Sequence, residues 1–207
     1  MSKYTRQIDI INEQELDFPI HIIGVGGIGS WTTLLLAKMG CQNIRVYDDD
    51  IVEEHNIASQ FFQGNQLGMK KIEALYENIL NQTNTKIICG PQSIESEIDE
   101  GLIIIAVDSM QERHNLNQLF KDKNCYIIDG RMGGLQLEIY CIPANQYEAT
   151  LVAIGETNPD PCTARSICFN CAVIAGLIAN YVRLFAKKKL PNQTITFLFD
   201  NIKLLYG

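Results

Sequence analysis

Ile20 to Ser59 read IHIIGVGGIGSWTTLLLAKMGCQNIRVYDDDIVEEHNIAS, and the order of parts in this stretch decides the fold. An apolar run, Ile20, Ile22, Ile23 and Val25, ends in Gly24-Val25-Gly26-Gly27-Ile28-Gly29. Trp31 to Met39 has helical spacing, Ile44 to Tyr47 is a short second strand, and Asp48, Asp49 and Asp50 follow. Strand, glycine turn, helix, strand, acid is the order a nucleotide-binding βαβ unit needs. Glycines let the backbone approach phosphates, and the helix N-terminus beyond them offers unpaired N–H groups. Gly24, Gly26, Gly27, Ile28 and Gly29 are therefore candidate cofactor-binding positions. Asp48, about 20 residues on, is placed to accept hydrogen bonds from ribose hydroxyls.

The glycine pattern alone also fits NAD. The continuation argues against it: Asp50, Asn56 and Gln60 have no work in a dehydrogenase, which needs one acid here. The stretch resembles the ThiF/MoeB/HesA superfamily, the adenylating core shared with ubiquitin-activating enzymes. That family carries D-x-D-x-V, then an asparagine and an arginine–glutamine pair; here Asp48-Asp49-Asp50-Ile51-Val52, Asn56 and Ser59-Gln60 stand in those places. The resemblance implies a single Rossmann-like α/β domain over residues 1–207. Its mostly parallel sheet would be flanked by helices, with antiparallel strands at the far side.

Further matches follow in order. Tyr4-Thr5-Arg6-Gln7 precedes the first strand; the resemblance implies a homodimer in which Arg6, on an arm of residues 1–18, reaches the partner's nucleotide. Gly68-Met69-Lys70-Lys71 opens a helix, and Lys71 is the implied phosphate lysine, with its neighbour Lys70 an alternative. Leu102 to Val107 reads as a buried strand ending at Asp108, followed by Arg113-His114-Asn115-Leu116-Asn117. Asp108 is the implied Mg2+ ligand beside ATP, or a helix N-cap. Asp160-Pro161-Cys162-Thr163-Ala164-Arg165 resembles the segment whose cysteine takes the acyl group as a thioester.

Elsewhere the pattern predicts strands at Thr85 to Cys89, Tyr126 to Asp129, Leu135 to Ile142, Ala149 to Ile154 and Ile195 to Phe199. Gly130 to Gly134 reads as a turn and Ala172 to Phe185 as the last helix. Ser59 departs from the family, because serine has no charge and no guanidinium fork. Arg6, Arg113 or Arg131, the last on a glycine-rich turn, are the candidate replacements. Cys168-Phe169-Asn170-Cys171 is a single CxxC and an incomplete zinc set. Cys41, Cys89 and Cys125 read as small core residues, and the three histidines as structural.

Composition limits the partners. The 207 residues have a net charge of −7, which argues against a broad nucleic-acid surface, and Lys187 to Lys189 is a helix end. Met1 to Asp17 does not read as a secretory leader, and Cys171 to Ala186, broken by Asn180 and Arg183, is short for a membrane span. Seven cysteines without paired spacing fit a reduced compartment, so a cytoplasmic protein is expected. The implied activity is ATP- and Mg2+-dependent adenylation of the C-terminal carboxylate of a ubiquitin-like or sulfur-carrier protein. A nucleotide- or partner-binding adaptor is the alternative.

Overall fold

A computed structural model of the chain describes residues 3–91, 98, 101–151 and 166–207. Its frame is an eight-stranded sheet in the order β3-β2-β1-β4-β5-β6-β7-β8. β1 (Ile20–Ile23), β2 (Ile44–Tyr47), β3 (Ile88–Cys89), β4 (Leu102–Ile105) and β5 (Tyr126–Gly133) run parallel to one another. β6 (Gln136–Pro143), β7 (Gln193–Leu198) and β8 (Lys203–Tyr206) continue the sheet antiparallel. The α/β class and the change of strand direction are as expected.

The central strands are aliphatic throughout because both faces are covered. Along β4, Leu102 and Ile104 enter a core shared with α1 (Gly27–Met39), α2 (Lys71–Thr83) and α4 (Cys168–Ala186). Ile103 and Ile105 face a second core, built with Leu116 and Phe120 of α3 (Met110–Phe120) and with Tyr147 of the 3-10 segment Ala144–Thr150. α4 has 19 residues and a mean hydropathy of 1.5, apolar and long enough to cross a membrane by composition alone. In this structure Cys171, Ile174, Ile178, Tyr181 and Val182 of α4 are buried in the first core.

Several boundaries differ from the sequence reading. The third strand shrinks to Ile88–Cys89 because α2 ends there instead: Asn84 caps it at φ +58° and the Thr85 N–H donates to Thr83 Oγ1 at 3.1 Å. Cys89 is exposed, not a core residue. Gly130 to Gly133 are not a turn; they extend β5, and Gly133 pairs with Gln136 across the two-residue turn Gly134-Leu135, where Gly134 has φ +58°. Ala149 and Thr150 lie in the 3-10 segment, so they do not begin a strand; the antiparallel neighbour of β6 is β7. Residues 152–154 lie outside the described residues. β8 was not expected.

Candidate functional site

The chain passes from β3 at one edge back across to β4, which pairs β1 on the side opposite β2. This reversal leaves a crevice at the carboxyl ends of β1 and β4, where open α/β sheets hold ligands. A cleft of about 270 Å³ lies there, lined by Gly24, Gly26, Gly27 and Ile28, by Tyr47 to Asp50, and by Ala106 to Asp108. Glu112 and Arg113 of α3, Gly130 and Met132 of β5, Gln60, Lys71 and Ser166 complete the wall.

The glycines divide their work. Gly24 (φ +84°) sits so close to β4 that an added Cβ would meet Ala106 O at 2.7 Å. Gly29 does not line the cleft: its Cβ would fall 1.9 Å from Gly24 O. It serves the packing of turn on helix, not a ligand. Asp48 fastens the same turn, accepting the Val25 N–H at 2.7 Å and the Asp50 N–H at 3.0 Å. Burial pushes its carboxyl above the usual range, with the Lys71 ammonium opposing.

Lys71 is the first residue of α2, and its N–H donates to Asp50 O at 2.9 Å. Its buried ammonium meets Asp50 Oδ2 at 2.6 Å. Lys70 caps the helix, is exposed and lines neither chamber, so Lys71 is the lysine at the site. Asp108 follows β4 as an exposed carboxylate. The N-cap of α3 is Ser109, whose hydroxyl accepts the Glu112 N–H at 3.3 Å, so the capping role considered for Asp108 falls away. Burial, together with Asp108, Asp49 and Asp48, holds the Glu112 carboxyl above its usual value. Nothing in the sequence pattern singled out Glu112; its place in the first turn of α3 becomes meaningful only beside the aspartate loop.

A second chamber of about 390 Å³ shares Asp50, Gln60, Lys71, Asp108 and Ser166 with the first. Glu53, His55, Asn56 and Ser59 also line it. Asn56 is buried and its Oδ1 accepts the Glu53 N–H at 2.9 Å, which fixes this loop. Ser59 is buried as well, receiving the Ser166 hydroxyl at 3.1 Å on its own and the Trp31 indole N–H at 2.8 Å on its carbonyl.

The remaining candidates separate. Arg113 lines the cleft, whereas Arg131 does not. Arg131 is held by Asp129 at 2.7 Å and by the Thr150 carbonyl at 2.9 Å, with its guanidinium 4.1 Å from the Tyr140 ring. It is therefore not the replacement for the missing arginine. Arg6 lies on the exposed 3-10 turn Thr5–Gln7 and lines neither chamber of its own chain. Cys162 lies outside the described residues. Burial raises the Cys171 thiol to about 11, and those of Cys41 and Cys141 to about 12. His21 is buried against Tyr47 OH at 3.0 Å, and His55 pairs with Glu53 at 3.2 Å.

Residues 4–204 match the ThiF family. The chain belongs to that family. It is similar to ubiquitin-like modifier-activating enzyme 5 of Oryza sativa subsp. japonica, with 29% identity over 140 residues, 68% of this chain and 29% of the relative. The Branchiostoma floridae protein of the same name is 40% identical over 62 residues, 30% of this chain and 15% of the relative. The chain thus spans less than a third of the length of these curated relatives. Among solved structures, Escherichia coli MccB with ATP superposes with a TM-score of 0.79 at 18% identity, covering 100% of this chain and 70% of that one. PaaA gives 0.78 at 20% identity, covering 99% and 72%. At these identities the likeness is one of fold.

Proposed function

We propose that this ThiF-family chain is an adenylyltransferase that uses ATP to activate the C-terminal carboxylate of a ubiquitin-like or sulfur-carrier protein. The observation behind this reading is that Asp48, Lys71 and Asp108, far apart in sequence, line one cleft with the Gly24–Gly27 turn. Asp48 stands where a ribose would be gripped, while the turn and the start of α1 offer N–H groups to phosphates. Lys71 supplies a flexible point charge, and Arg113 a planar donor set. The incoming carboxylate is already ionised at neutral pH, so no strong base is needed. It attacks the α-phosphate, pyrophosphate leaves, and an acyl adenylate is formed.

The donor set also fits Mg2+: Asp108 and Glu112 are carboxylates in the cleft, hard oxygen ligands suited to a hard cation. Asp108 would hold the ion, which when bound neutralises phosphate charge. Arg6 of a second copy is the proposed source of the positive charge that Ser59 lacks. A thioester step at Cys162, its thiolate displacing AMP from the adenylate, is proposed on the sequence pattern alone.

ATP–pyrophosphate exchange, measured with candidate carrier proteins, tests the reading. Exchange that depends on a carrier and disappears in Asp108→Ala supports it. Ser59 favours a second reading, an adaptor that binds nucleotide without turnover; ATP binding without exchange for any carrier would establish that instead.

A further inference from the structure

We propose that Asp129 is the positioning residue that holds Arg113 as the anion-facing guanidinium of the cleft. Asp129 is completely buried on β5, opposite Ile105 of β4, close to where the chain turns toward Asp108. Its Oδ1 accepts Arg113 Nε at 3.1 Å, and its Oδ2 accepts Arg131 Nε at 2.7 Å and the Tyr147 hydroxyl at 2.9 Å. Arg113 Nη2 is fixed by two carbonyls, Val107 O at 2.7 Å and Gly130 O at 3.3 Å. Both carbonyls belong to residues that line the cleft. Among the described residues, Arg113 Nη1 has no acceptor.

The charges do not balance within this cluster. Two buried guanidinium groups meet one buried carboxylate, so within this cluster one positive charge is left over, at a wall that also carries Glu112 and Asp108. Burying such a set is costly, and well-packed apolar side chains can often replace a buried ion pair without loss of stability. An anion in the cleft completes it. The fork of Arg113 is planar, and its Nε and Nη2 contacts fix that plane, so Nη1 meets the ligand without reorganisation. On the proposed function, the anion is the phosphate chain of ATP.

The full-length chain with ATP as probe, read by equilibrium binding and thermal melting, tests this. Asp129→Asn removes the carboxylate shared by two ion pairs and Arg131→Met removes one of those pairs, so both lower the melting temperature. Positioning predicts that Asp129→Asn weakens ATP binding by roughly tenfold or more, while Arg131→Met changes it less than about twofold. Arg113→Lys should match Asp129→Asn, and the double variant should be no worse than Arg113→Lys alone. Equal weakening by Asp129→Asn and Arg131→Met, or unchanged affinity in Asp129→Asn, overturns the proposal. Should Asp129→Asn not fold, Asp129→Glu keeps the charge and displaces it by one methylene; a folded variant with wild-type affinity overturns the proposal equally. A wild type that binds ATP but performs no exchange sinks the adenylation reading and leaves the Asp129 comparison decisive. A wild type that binds no ATP at millimolar concentration overturns both.

Discussion

Glu112 works against the stability of the empty protein. Burial, then the nearby Asp108, Asp49 and Asp48, raise its carboxyl above the ordinary glutamate value, with Arg113 opposing. A raised acid binds its proton more tightly folded than unfolded, so stability falls as pH rises from the unfolded value through the folded one. Without nucleotide or divalent cation, Glu112→Gln should therefore melt higher than wild type at pH 8. The gain should vanish near pH 4, where both states hold the proton. A gain independent of pH would show that charge is not its origin. Such a residue is hard to see in a sequence, because its meaning depends on Asp48 and Asp49, brought to it from another segment. Lys71 and Asp108 were legible because local signals, a helix start and a strand end, mark them. Arg131 misled for the opposite reason: its flanking glycines promised access, but the β5–β6 ladder runs through them, and Asp129, two residues upstream, holds the guanidinium.

The β1–α1 turn shows how glycines of one motif differ in purpose. Gly29→Ala would press a methyl group against Gly24 O at 1.9 Å, so the turn or the helix must move. A loss of about 1–3 kcal/mol, typical of overpacking, is expected in chemical denaturation. Gly64→Ala is the control: nothing lies within 4 Å of its added Cβ, and its effect should stay within about 0.5 kcal/mol. Equal losses would remove the close contact as the reason for glycine at position 29. The unit from β1 to β2 was legible in its order of parts, since periodicity, glycine turn and acid agree. Yet α1 begins at Gly27, ahead of the helical spacing from Trp31, and Gly29 serves packing instead of a ligand. The far side of the sheet was less so. Ala149 and Thr150 look extended in isolation, yet the 3-10 turn that carries Tyr147 to Asp129 claims them. β8 escaped notice because Lys203 to Tyr206 is short, and all four residues are exposed, so no burial pattern announces it.

Arg6 is exposed and away from its own cleft, so its proposed role is a property of two chains together. Arg6→Ala and Lys71→Ala should each abolish exchange. Mixing equal amounts should restore about a quarter of wild-type activity, because half the dimers are mixed and each has one intact site. No recovery after subunit exchange would confine Arg6 to its own chain. The parallel first half of the sheet and its antiparallel far side were readable from sequence. The lateral order β3-β2-β1-β4 and the switch between β1 and β4 emerge only in the structure, because a buried aliphatic run does not say which strand lies beside it. What closes the cleft beyond them depends on loops whose contacts no periodicity encodes.

The hydrogen bond from Trp31 to the Ser59 carbonyl has a practical side. The chain has one tryptophan, and its indole touches the backbone of a residue that lines the second chamber. Indole emission responds to its hydrogen-bond acceptor and to local polarity, and here no other tryptophan adds background. The protein thus contains its own optical gauge of that chamber, readable in solution without a dye or label.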